Sequence, residues 1–160
     1  MEKSLTIGAV LDRIALLEQR TADLYDFYAT LFKADWDLFP LFSRMTREEK
    51  NHKAQVLLQK RLLSDRRFEP VSTSLDLSGL DAILETIDAH MQFRTIAPIE
   101  ALDFAIMLES HGMESAYRSV LSNQNPELAR LAKALSNGDQ YHLQGLKDMK
   151  DIIQNRKSPY

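Results

Sequence analysis

The sequence predicts an all-α fold: four long helices forming a bundle, with one short extra helix inside a long crossover. Three observations carry this. Apolar residues recur at steps of three and four almost throughout the chain. No stretch alternates with the period of two that a half-buried strand requires. Glycine and proline number five each in 160 residues, too few turn residues for an all-β chain. The length suits a single domain over 1–160 and is enough to bury a core.

The first helix is expected over about 5–33. The second opens near Asp35 or Asp37, with Pro40 in its first turn, and runs over about 37–63. A capping box at Thr46-Arg-Glu-Glu49 would start it later. That start is rejected because Leu38, Phe42 and Met45 already keep helical rhythm upstream. The stretch 64–96 is the crossover. It begins with SDRRFEPVSTSLDLSG and contains a short helix whose capping box is Ser78-Gly-Leu-Asp81, ending near His90. The third long helix opens at Ala97-Pro98 and covers about 97–121. The fourth opens at Asn125-Pro126, an N-cap followed by a first-turn proline, and covers about 126–155.

Composition excludes several function classes. Twenty Lys+Arg against 23 Asp+Glu leave a net charge of −3, with no basic excess for nucleic acid or an anionic membrane surface. The absence of cysteine excludes disulfides, thiolate nucleophiles and iron–sulfur clusters. No apolar run approaches a membrane span of ~18 residues, and the start lacks signal-peptide character. A cytoplasmic location is expected.

Charges on the apolar faces are the informative feature. Helix one presents Leu11, Ile14, Glu18, Thr21, Tyr25 and Tyr28 on one stripe. Helix two presents Phe42, Met45, Glu49, His52 and Val56. Helix three presents Leu102, Ala105, Glu109 and Ala116. Helix four presents Leu131, Leu135, Asp139, His142 and Leu146. Each stripe is apolar except near its middle, where it carries one carboxylate. Helices two and four add a histidine three residues later. Four buried carboxylates would repel or take up protons. Two divalent ions would cancel their four charges, and a mixed carboxylate and imidazole set suits iron or manganese.

Spacing supports one common level. Glu18 and Glu49 are 31 residues apart, Glu109 and Asp139 are 30 apart, and both midpoints fall at expected turns. Two antiparallel hairpins therefore deliver their ligands to the same height. Residues three apart share a helix face, so each carboxylate-x-x-His pair can reach one ion. The candidate metal ligands are Glu18, Glu49, His52, Glu109, Asp139 and His142. This is the ligand pattern of carboxylate-bridged dimetal bundles.

In the segments LLEQRTADLYDFY, FSRMTREEKNHKAQVL, IEALDFAIMLESHGMESAYRSVL and LAKALSNGDQYHLQGLKDM the chain resembles the ferritin-like superfamily, and within it the rubrerythrin-related branch. The resemblance implies an up-down-down-up bundle and a non-haem diiron centre that reacts with peroxide or dioxygen. It implies Glu18 and Asp139 as terminal ligands, Glu49 and Glu109 as bridges, and His52 and His142 on one iron each. Tyr25 and Tyr28 resemble tyrosines that line such sites. Three departures stand out. Asp139 is one methylene shorter than the usual Glu. Gly112 replaces a further Glu. Without cysteine there is no rubredoxin-like domain, so electrons must come from an external donor.

The first expectation is a diiron oxidoreductase, forming a homodimer. The expected cofactor is two iron ions, with manganese or zinc as substitutes; the alternatives are a ferroxidase for iron handling and a non-catalytic binding or regulatory bundle with a degenerate or zinc-loaded site. Of the remaining residues, Glu48, His111 and Glu114 are expected to face outward. Tyr117 and the methionines are expected to fill the core, and Trp36 to pack or make a subunit contact. His90 is expected to be structural, with its cation favoured by the helix dipole.

Overall fold

A computed structural model describes residues 5–71, 78–110 and 112–156. The described residues form α-helices with no strand beyond an isolated bridge between Thr6 and Pro70. The α-helices are α1 (Ile7–Leu31), α2 (Leu38–Leu62), α3 (Ser78–His90), α4 (Pro98–Ser110), α5 (Gly112–Ser122) and α6 (Pro126–Arg156), with a 3-10 turn over Ser64–Phe68. The expected third long helix corresponds to two segments, α4 and α5, on either side of residue 111. The Ser78 capping bond and the outward placements of His111 and Glu114 fall outside the described residues and side chains.

Local chemistry sets the helix ends. Thr6 Oγ1 accepts from the Ala9 amide at 3.2 Å and caps α1. The Asp37 side chain makes no cap on α2. Instead Asp35 Oδ1 accepts from the amides of Asp37 and Leu38, each at 2.9 Å. Asn125 Oδ1 accepts from the Leu128 amide at 2.9 Å, and Pro126 opens α6. Ser64, in the left-handed region at φ 51°, turns the chain off α2. The following 3-10 turn lies against α1 so closely that a Cβ on Gly8 would come within 2.9 Å of the Arg67 carbonyl oxygen.

Cross-helix contacts define the pairing. Gln19 meets Lys53 and Asp12 meets Lys60, so α1 and α2 run antiparallel. Asp103 meets Lys150 and Arg118 meets Asp139, so α4 and α5 run antiparallel to α6. Helices α2 and α6 also pack together, as do α1 and α5. Two apolar clusters result. One gathers Leu11, Ile14, Val56, Tyr117, Leu128 and Leu135, among others. The other gathers Tyr25, Tyr28, Phe42, Leu102, Ala105 and Leu146. The charged stripe residues lie between them in sequence on α1, α2 and α6, and Glu109 lies between the second cluster's residues on α4 and the first cluster's on α5.

No described helix is long and apolar enough to cross a membrane.

Candidate metal centre

Helix periodicity brings Glu18 of α1, Glu49 and His52 of α2, Glu109 of α4, and His142 of α6 to one level. Glu18, Glu49 and His142 are at most 3% exposed, a costly setting for charge without compensation. Their ligand-type atoms form two groups, each drawn together within 4.8 Å: Glu18, Glu49 and His52, and Glu49, Glu109 and His142. Glu49 belongs to both. His52 Nδ1 lies 3.5 Å from Glu18 Oε2 and 3.6 Å from Glu49 Oε2. His142 Nδ1 lies 2.7 Å from Glu49 Oε1 and 3.7 Å from Glu109 Oε1. The two imidazole rings stack with centroids 5.6 Å apart.

These donors fit a metal ion better than they fit one another. Glu49 Oε1, His52 Nδ1 and His142 Nδ1 are buried without a hydrogen-bond partner. Even the 2.7 Å approach of His142 to Glu49 is not aligned as a hydrogen bond. Buried polar atoms are almost always satisfied, so converging unsatisfied oxygens and nitrogens mark a place for a cation. Hard carboxylate oxygens with borderline imidazoles suit first-row divalent ions.

Protons balance the cluster when no ion is bound. Burial pushes the His142 imidazole down, but the facing Glu109 and Glu49 carboxylates outweigh it and raise it to about 11. Burial lowers His52 as well, yet Glu49 holds it above its ordinary value. Burial raises the Glu109 carboxyl to about 7 against the pull of His142, with the Glu49 and Asp139 charges adding to the rise. Burial would raise Glu49 too, but Glu18, His142 and His52 together hold it below the usual carboxylate range.

A bound ion must displace the His142 proton and, below pH 7, the Glu109 proton. Metal affinity is therefore expected to rise with pH between 6 and 8, by about tenfold per unit for each proton displaced. Calorimetry in buffers of different ionisation enthalpy would count those protons, and a pH-independent affinity would contradict this electrostatic picture.

Asp139 is at the right level but belongs to neither group. Its Oδ2 is 2.5 Å from Arg118 Nη1, and the two side chains are 12% and 11% exposed. Burial raises its carboxyl, with Arg118 opposing. Nor is Glu109 shared between the groups, as an expected bridge would be. The two tyrosines diverge. Tyr25 donates its hydroxyl to Glu109 Oε1 at 2.5 Å, and burial followed by the Glu109 charge raises its phenol well above 10. Tyr28 instead pairs with His90 Nδ1 at 2.6 Å, away from the ligand groups.

One surface expectation is corrected. Glu48 does not simply face outward, because its Oε2 reaches His142 Nε2 at 2.7 Å while the side chain stays a third exposed. A glutamate one position off the stripe is long enough to reach the next helix. His90 is structural as expected, but through packing and a hydrogen bond and not as a helix-end cation. Burial lowers its imidazole, and the ring stacks on Phe104 at 4.0 Å while bonding Tyr28.

Arg118 and Gly138 are the residues that sequence reasoning missed. Arg118 follows Glu109 by nine residues, half a turn out of phase on an ideal helix, so no stripe argument finds it. Gly138 lies inside α6, which runs unbroken through Asn137-Gly138-Asp139. It leaves room for a ring: a Cβ there would stand 2.6 Å from His52 Cε1 and 2.7 Å from His52 Nε2.

Comparison with known proteins finds no matching family model, no matching curated protein and no matching solved structure.

Proposed function

We propose that the chain is a ferritin-like four-helix bundle that binds two iron ions and acts as a rubrerythrin-like diiron oxidoreductase, reducing hydrogen peroxide or dioxygen with electrons from an external donor. The observation that carries this reading is the pair of buried Glu/Glu/His groups sharing Glu49. Glu18, Glu49 and His52 would hold one ion, and Glu49, Glu109 and His142 the other. Bound iron supplies redox chemistry toward peroxide or dioxygen, which carboxylates and imidazoles do not.

The side chains do the rest. Glu49 carries charge to both positions. The Tyr25 hydroxyl fixes Glu109 and keeps a proton on its own oxygen next to the site. The two apolar clusters restrict water, which strengthens every charge interaction between them.

One observation favours a second reading. Arg118 neutralises Asp139, so three carboxylates rather than four face two positions. A centre with fewer ligands is compatible with a metal-binding bundle that has no catalytic role.

Anoxic reconstitution with ferrous iron separates the readings. The oxidoreductase reading expects about two irons per chain and oxidation by peroxide faster than that of free ferrous iron. Binding without acceleration would favour the second reading. Failure to bind iron would overturn the first reading, and failure to bind iron, manganese or zinc would overturn both.

A further inference from the structure

The two carboxylate-x-x-His runs occupy equivalent places on α2 and α6, and in each the residue before the carboxylate lies against the histidine of the other helix. On α2 that residue is Glu48, whose Oε2 stands 2.7 Å from His142 Nε2. On α6 it is Gly138, whose absent Cβ would fall within 2.7 Å of His52 Cε1 and Nε2. Matched positions thus do opposite things. One histidine receives a carboxylate, and the other packs against bare helix backbone that offers it no side chain.

We infer that the two metal positions are unequal by construction: the His142 position is the tight one, set by Glu48, and the His52 position is the weak and exchangeable one, left so by Gly138. This rests on the two-metal reading above.

The physical argument concerns the far side of each ring. A ligand histidine that donates its other N–H to a carboxylate has a fixed tautomer, a fixed ring orientation and a more basic ligating nitrogen. His142 meets all three conditions, with Nδ1 toward Glu49 and Glu109 and Nε2 on Glu48. Its co-ligand Glu109 is also fixed, by Tyr25 at 2.5 Å. His52 has no carboxylate on Nε2 among the described residues, and its side chain is 12% exposed against 2% for His142. Asp139, whose charge acts on His52, is tied to Arg118. Glu48 and Gly138 are positioning residues, since both act through a histidine.

Gly138 carries a further consequence. Glycine inside a helix is a poor helix former compared with alanine. A methyl at this position would favour α6 but clash with the Cε1 and Nε2 edge of the His52 ring and displace it from its place beside Glu18 and Glu49. Glycine here makes room for the His52 ring, at some expense to the helix, and supplies no group to hold its far nitrogen.

Titration of the metal-free chain with cobalt(II), followed by its visible absorption and by calorimetry, tests this. Two binding steps are expected, separated by at least about tenfold in affinity. His52→Ala should remove only the weaker step. Glu48→Gln should weaken the tighter step by about 10–100-fold, drawing the two together. Gly138→Ala should weaken or remove the weaker step while helical circular dichroism is unchanged and thermal stability is equal or higher. Two equal steps in the wild-type chain, loss of the tighter step in His52→Ala, or an unchanged tighter step in Glu48→Gln would each overturn the inference while leaving two-metal binding intact. No cobalt uptake by the wild-type chain would overturn the two-metal reading and the inference with it.

Discussion

Glu49→Gln is expected to abolish both metal positions at once, although it alters a single atom type. Glu49 is the one residue common to the two ligand groups, and an amide offers a neutral oxygen where each ion needs an anionic one. Loss of a group that merely orients a ligand typically costs 10–100-fold in affinity, so losing a shared ligand should cost more than about 100-fold at each position. Glu18→Gln and Glu109→Gln each touch one group and should each spare the other. Metal analysis after reconstitution reads this directly as two ions, one or none per chain. If Glu49→Gln still retained one tightly held ion, the two groups would not depend on a common carboxylate. Glutamine matches glutamate in size, and helical circular dichroism at neutral pH separates loss of both ions from a folding defect.

Arg118→Met should give the largest change in stability of the metal-free chain. Arg118 and Asp139 form a mostly buried pair at 2.5 Å. Removing one partner of such a pair leaves an uncompensated charge, at a cost of about 3–5 kcal/mol. A domain is typically stable by about 5–15 kcal/mol, so this is a substantial part of the whole. The melting temperature should fall by on the order of 10 °C. Asp139 already has its carboxyl raised by burial. Without Arg118 it can relieve the strain by taking up a proton, so the deficit should shrink as pH is lowered and grow toward neutrality. The double variant Arg118→Met, Asp139→Asn should recover most of the loss, because no unpaired charge remains. Strictly additive effects in this double-mutant cycle would show that the two side chains are not energetically coupled.

How far the sequence could be read is best judged residue by residue. Glu18, Glu49, His52, Glu109 and His142 were legible because each is a charged or titratable group on an apolar helical stripe, and such a placement demands a partner. Helix starts at Pro98 and Pro126 were legible because proline fits a first turn. Asp139 was legible by the same stripe rule, but its partner was not. Arg118 lies out of phase with Glu109 and meets Asp139 only once two helices are packed. Glu48 sits one position off its stripe, and stripe logic assigns such a residue to solvent without considering its reach. The bond between Tyr28 and His90 joins residues 62 apart, across a crossover whose path no local pattern specifies. Periodicity shows which face of a helix turns inward. It does not show which neighbouring helix that face will meet, or at what height.

Height along the bundle is what the charged layer itself controls. Helix faces of leucine, isoleucine and valine fit one another in many alignments, since one aliphatic side chain replaces another with little loss. The cluster near Leu11 and Leu135 is mostly of this permissive kind, and the one near Leu102 and Leu146 shares its leucines and isoleucines but adds Tyr25, Tyr28 and Phe42. Between them, each long helical run carries its carboxylate, and α2 and α6 also their histidine. Sliding α6 past α2 by one turn would move it by 5.4 Å, carry His142 away from Glu48 and Glu49, and set it against aliphatic neighbours. Every such misalignment buries a charge without its partner. The layer therefore works as an alignment key for the whole bundle, penalising wrong axial offsets that the oily parts of the core would tolerate. On this view the same few residues first select one arrangement of the helices and only then present that arrangement to an ion.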